Sequence, residues 1–211
     1  MAHAESRVAL RRSRRGRARG RARMGVLIAL AGLWVATSGA HRARAYSYAE
    51  AGAEPLIDAR EETLAALATK DYAAAERVSA RAREELGYLD ESQGLALVDA
   101  LDRALRMRDA DAVDRVFLDG FAAEIRRRLA GAGENLEDYQ LAKTLVVKSK
   151  VFFDLLAPAL DAERRARADA ALRACLEAIG NPGVFGVGAR DPDPAAFREQ
   201  REIIDASIGA P

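Results

Sequence analysis

Beyond residue 45 the chain contains no histidine: His3 and His41, the two it has, lie in the first 45 residues, as does the single tryptophan, Trp34. Without an imidazole, the remaining residues cannot run Ser-His-Asp or Cys-His catalysis, nor hold zinc, copper or haem through histidine. Cysteine is equally scarce. A lone Cys175 excludes an intramolecular disulfide, a CxxC pair and a haem-attachment motif. Residues 46–211 must therefore hold together by packing alone. Their number, 166, suffices, because a domain of that size buries roughly 70% of its unfolded surface. Long apolar runs are also missing. The longest, Met24 to Ala36, falls short of the ~20 residues that span a bilayer.

That run belongs to a segment unlike the rest. Eight arginines fall between Arg11 and Arg23, the apolar run follows at once, and Ala43-Arg44-Ala45 closes the segment. A basic stretch, an apolar stretch of about 7–15 residues and an A-x-A site constitute a secretory signal peptide. We expect cleavage after Ala45, with Ala40 as second choice, and export to the periplasm or the extracellular space. A nucleic-acid arm would rarely run straight into an apolar segment and a cleavage site. A lipoprotein would need a cysteine there. Ser13-Arg14-Arg15 resembles a twin-arginine signal, but Gly16-Arg17-Ala18 lacks the bulky apolar pair that usually follows.

Cleavage would change the electrostatics. The leader holds 11 of the 33 basic residues and one of the 32 acidic ones, which leaves 22 against 31 and a net charge of −9. Such a domain is repelled by nucleic acid phosphates and anionic membranes. It can attract cations or basic partners. We therefore expect no nucleic-acid partner and no stable membrane insertion of the mature chain.

Apolar spacing along residues 46–211 predicts about seven helices in one all-α domain. They run from about Pro55 to Thr69, Asp71 to Gly87, Ser92 to Met107, Ala110 to Ala130, Leu136 to Ala157, Asp161 to Ile179 and Pro194 to Ile208. Pro55 and Pro194 suit first helical positions. Asp71, Asp161 and Asp193 suit caps. Ile57, Leu64, Leu67 and Ala68 would share the inner face of the first helix, and Leu95, Val98, Leu101 and Leu105 that of the third. The fifth is the most apolar and would sit at the centre. Arg126, Arg127 and Arg128 would occupy the last turn of the fourth, where the helix dipole favours cations.

One internal repeat is visible. At an offset of 38, Ala66, Leu67, Asp71, Ala74, Arg77 and Val78 recur as Ala104, Leu105, Asp109, Ala112, Arg115 and Val116. With Asp71 and Asp109 as caps, the repeat predicts two similar helical pairs, 55–86 and 92–130, and the whole a bundle of antiparallel helical hairpins.

Four features could carry function. The first is the glycine-rich stretch 180–193, with Gly180, Gly183, Gly186 and Gly188 among Val184, Phe185 and Val187. Its order is not the dinucleotide fingerprint, and no strand precedes it. The favoured reading is a connector whose Val184, Phe185 and Val187 plug the bundle while glycines make the turns. The alternative is a binding loop in which Asn181, Phe185 and Arg190 meet a ligand or partner. Second, Lys143 and Lys150 share a face of the fifth helix. They snorkel past its apolar stripe, or else line a groove for an anionic group. Third, Cys175 on an apolar stripe reads as a small hydrophobe. Fourth, Glu50, Glu54, Asp58, Glu61 and Glu62, then Glu134, Glu137 and Asp138, form acidic runs. Without a D-x-D-x-D-G loop or a Glu-x-x-His pair, these read as solvated faces and first-turn acids.

The expected function is an exported, non-catalytic helical binding or scaffold protein that engages a protein or peptide, with no cofactor and no metal. The alternative is an acidic protein that binds a metal ion or small ligand through carboxylates.

Overall fold

The computed structural model describes residues 54–185 and 187–209, all within a compact unit spanning residues 52–211. The expected leader and its cleavage site lie outside the described residues. The described chain is all-helical: α1 Pro55–Ala68, α2 Tyr72–Gln93, α3 Leu97–Met107, α4 Ala110–Glu134, α5 Tyr139–Leu156, α6 Ala162–Ala178 and α7 Pro194–Ile208, with a 3-10 turn at Ala157–Ala159. No strand forms among the described residues; two isolated β-bridges lie in the glycine-rich stretch.

Aspartates start most of these helices. Carboxylate oxygens of Asp71, Asp109, Asp138 and Asp161 accept from the amides of Ala74, Ala112, Leu141 and Arg164 at 2.8–3.0 Å. Asp193 accepts from both Ala195 and Ala196. Each such cap satisfies amides that the first turn leaves unpaired, worth about 1 kcal/mol. The two repeat copies also match in backbone. Lys70 (φ 60°) and Arg108 (φ 56°) both take the left-handed conformation directly before the capping aspartate. A non-glycine residue there costs roughly 1–2 kcal/mol, so its recurrence at equivalent positions marks one turn used twice.

Several expected boundaries move. α2 does not stop at Gly87 but continues to Gln93 and turns at Gly94. A glycine inside a helix costs only about 1 kcal/mol relative to alanine, and Leu86 and Leu89 are buried on either side of Gly87. α3 consequently starts at Leu97 rather than near Ser92, and Leu95, expected inside, is exposed. Its start is supplied from α2. The Asp90 carboxylate accepts from the amides of Leu97 (2.7 Å) and Val98 (3.0 Å). In α1 the inner face is Leu56, Ala59, Thr63 and Leu67, with Ile57 half-buried and Ala68 exposed.

The centre is also reassigned. α4, not α5, lies innermost: it packs on α1, α2, α3, α5 and α7. Val113, Phe117, Phe121, Ile125 and Leu129 line its buried stripe. α5 packs on α4 and α6 and leaves Val147 and Val151 exposed. Length decides this. α4 reaches Glu134 instead of Ala130, and its 25 residues span nearly 38 Å at 1.5 Å per residue, enough to touch most of the bundle. The extension takes Arg126, Arg127 and Arg128 out of the last turn and into the body of the helix.

Candidate functional site

Between α6 and α7 the chain projects a narrow arm over residues 181–190. Two antiparallel bridges hold it. Asn181 and Arg190 exchange backbone hydrogen bonds at 2.8 and 2.7 Å, and Val184 and Val187 at 3.1 and 3.0 Å. The Asn181 Oδ1 accepts from the Gly183 amide at 2.9 Å, bending the outgoing chain. At the foot, the Arg190 Nη2 donates to the Glu177 carbonyl at 2.9 Å and the Asp193 amide donates to the Ala178 carbonyl at 2.8 Å. These bonds tie the arm to the last turn of α6, where unpaired carbonyls favour a cation.

The glycines make this geometry accessible. Gly180 (φ 76°) and Gly183 (φ 71°) are left-handed, and a side chain at either would collide with backbone across the arm. At Gly180 the clash would be with the Arg190 carbonyl oxygen; at Gly183 it would be with that of Val187, 2.5 Å away.

The arm does not plug the bundle. Val184 is 73%, Phe185 102% and Val187 80% exposed, so the favoured connector reading fails for these side chains. The physical reason is the tightness of the turn. With Val184 paired to Val187, only two residues lie between them, and the tip points away from the helices that anchor its foot. Phe185 also has φ 52°, a conformation that costs a bulky residue energy. The tip thus combines backbone strain with an aromatic ring fully in water, and no contact among the described residues offsets either.

The other candidate residues are placed as follows. Asn181 and Arg190 form the foot of the arm, with Phe185 at its tip. Lys143 is exposed on α5 and lies 5.5 Å from the centre of the Tyr139 ring. Lys150 pairs with Asp154 on its own helix and lies 3.7 Å from Asp169 of α6. The two lysines therefore form no common site with the arm. Cys175 is buried, and burial pushes its thiol up to about 12, far from thiolate chemistry. Glu134, Glu137 and Asp138 line a shallow groove of about 480 Å³ beside Leu136 and Pro194. Among the described residues, no group of three or more His, Cys, Asp or Glu is placed to hold a metal ion. None of the described helices is long and apolar enough to cross a membrane.

A cluster absent from the sequence expectations occupies the opposite kind of environment. Glu124 and Arg128, one turn apart on α4, are 1% and 3% exposed. Arg127 and Arg128 each donate to the Glu124 carboxylate at 2.8–2.9 Å. Arg128 also reaches, in a two-pronged contact, the carboxylate of Glu54 just before α1, at 3.1 and 2.6 Å. Lys148 of α5 approaches the same carboxylate at 3.1 Å. The Arg128 guanidinium lies 4.5 Å from the centre of the Phe152 ring, which meets Phe121 edge-on at 5.3 Å. Burial alone would raise the Glu54 carboxyl, but hydrogen bonds and charge from Arg128, then Lys148, outweigh it and hold it below its ordinary value of 4.5. Glu85 on α2 moves the other way: burial, then repulsion from Glu124 and a hydrogen bond shared with it, raise it above 4.5 against the pull of Arg127 and Arg128. The Glu124–Arg128 spacing is a legible i,i+4 pair; Glu54, 74 residues away, is not legible as its partner. The cluster ties the start of α1 to α4 and α5.

Comparison with protein-family models, with curated proteins and with solved structures finds no match for the chain.

Proposed function

We propose that the chain is an exported, non-catalytic helical binding or scaffold protein, and that the arm is the part of it that meets a protein or peptide partner. The leader, residues 1–45, supports export by its basic–apolar–small-residue order. The short links 69–71 and 108–109, each followed by a capped helix packed on its predecessor, support antiparallel hairpins, α1–α2 and α3–α4, as the frame.

One observation carries the binding reading. Phe185 stands fully in water on a strained backbone, at the end of an arm fixed by four main-chain hydrogen bonds. Folding gains nothing from such a tip. A partner would gain an aromatic anchor whose ordering cost has already been met, the arrangement that favours affinity. The frame adds a domain rich in carboxylates and free of imidazole, a composition suited to presenting surfaces.

Native mass spectrometry of the protein purified from its own host tests the reading. The expected spectrum shows a chain that begins at Tyr46 and a complex of defined stoichiometry with a second protein or peptide. A chain that is free of any partner, even after mild crosslinking, would refute the binding role. An intact Met1 in the cytosol would refute export.

A further inference from the structure

We infer that the arm is a plug for an apolar socket rimmed by lysine or arginine on a partner protein. This rests on the reading of the chain as a binding protein and specifies the chemistry of its partner.

The shape comes first. From Asn181 to Ala189 no residue is charged, and Val184, Phe185 and Val187 project around a two-residue turn. Paired strands lie only about 4.8 Å apart. The tip is therefore a slender knob that a concave pocket can enclose on every side, whereas a flat surface would leave much of it wet. A fully exposed phenylalanine has about 150–250 Å² to bury, the payload of an interface anchor.

Charge identifies the rim. The Arg190 guanidinium is turned back onto the α6 terminus. Glu177 and Asp191 are exposed at the foot, and among the described residues neither has a cation within ion-pair distance. Asp193, also exposed, spends its carboxylate on the α7 amides. A socket deep enough to take the tip brings its lip against these carboxylates, and cations on that lip are the complement. The same charges disfavour two other occupants. Two copies meeting tip to tip would bury only a few hundred Å², short of the roughly 1,200 Å² of a stable interface, and would set like foot charges against each other. An anionic bilayer would repel the foot in the same way.

The test places the photo-crosslinker p-benzoylphenylalanine at position 185 in the full chain expressed in its own host, with Tyr88, exposed on α2, as the control position. The expected result is one partner protein crosslinked from 185 and not from 88, with the crosslinked peptide mapping to an apolar cavity bordered by Lys or Arg. With that partner purified, Phe185→Ser should weaken binding by at least about 30-fold, the scale of an interface hot spot. Glu177→Gln with Asp191→Asn should weaken it several-fold and flatten its salt dependence. Crosslinking to a second copy, or to a protein site with an acidic or uncharged rim, would overturn the inference and leave the binding reading standing; crosslinking to lipid would overturn both. A partner that crosslinks only from surfaces other than the arm would overturn the inference and the arm's part in the proposed function, while the chain would remain a binding protein. No crosslink from any surface position would overturn both. Circular dichroism of each variant separates lost binding from lost folding.

Discussion

Two regions of this molecule put their most costly groups in opposite places. Around Arg128, six charged side chains are drawn into or against the core, and cation–carboxylate and cation–ring contacts outnumber the one like-charge contact, between Glu85 and Glu124. On the arm, three apolar side chains are pushed out of the core, and among the described residues none covers the Phe185 ring. Burying charge is costly unless each charge is paired. The cluster meets that condition through Glu54, Glu124 and Lys148. Exposing apolar surface is costly unless something covers it. On the function proposed above, the arm leaves that condition to a partner. Stability and binding, on that proposal, lie in different regions of one chain, and mutations should separate them.

The largest effect is expected at the cluster. Arg128→Ala should leave the buried Glu124 carboxylate to Arg127 alone and Glu54 to Lys148 alone, a loss toward the lower end of the roughly 3–5 kcal/mol of a broken buried pair, read as a drop in the urea midpoint. An unchanged midpoint would mean that the cluster is solvated rather than buried. A smaller loss, about 1–3 kcal/mol, should follow Gly180→Ala, because the left-handed backbone and the Arg190 carbonyl both reject a Cβ there. In that variant the arm should also detach from α6, seen as faster amide exchange at Asn181 and Arg190. The comparison would break if the exchange were unaltered.

Acidity probes the cluster more gently. Glu85, Asp119 and Asp205 are all raised, each first by burial. A raised carboxyl in the folded state costs stability at neutral pH and returns it as pH falls through that raised value. Glu54, lowered, contributes stability above its unfolded value and loses it as pH falls through the folded one. The melting temperature should therefore rise modestly as pH falls from neutral toward the ordinary glutamate value of 4.5, and fall as pH drops further and Glu54 is protonated. Glu85→Gln should remove part of the rise. A profile that falls steadily from pH 7 would place the dominant carboxylates in ion pairs instead.

How far the sequence could foretell these regions follows from the range of the interactions. The caps at Asp71, Asp161 and Asp193 and the repeated turn before Asp71 and Asp109 are local, settled within a few residues, and the spacing reveals them. So is the all-helical class. A glycine's local preference marks Gly87 as a helix end, but the buried Leu86 and Leu89 around it carry α2 through to Gln93. Leu136 to Ala157 misled because apolar composition says that a helix is buried, not how centrally; the longer α4 takes the middle. The cluster was illegible because Glu54 and Arg128 meet only after folding. At the site, Asn181, Phe185 and Arg190 were legible as a group through the glycines around them. The direction of Val184, Phe185 and Val187 was not, since apolar residues are ordinarily inside and only the two-residue turn shows that these cannot be.

The account stands or falls on whether the tip faces water in the folded chain, and thermal denaturation of Phe185→Ser measures this most directly. A ring with no contacts contributes nothing to the fold, so the variant should melt within about 1 °C of the parent, where a lost core aromatic would lower the midpoint by roughly 10 °C. A drop on that larger scale would contradict the account by putting Phe185 inside.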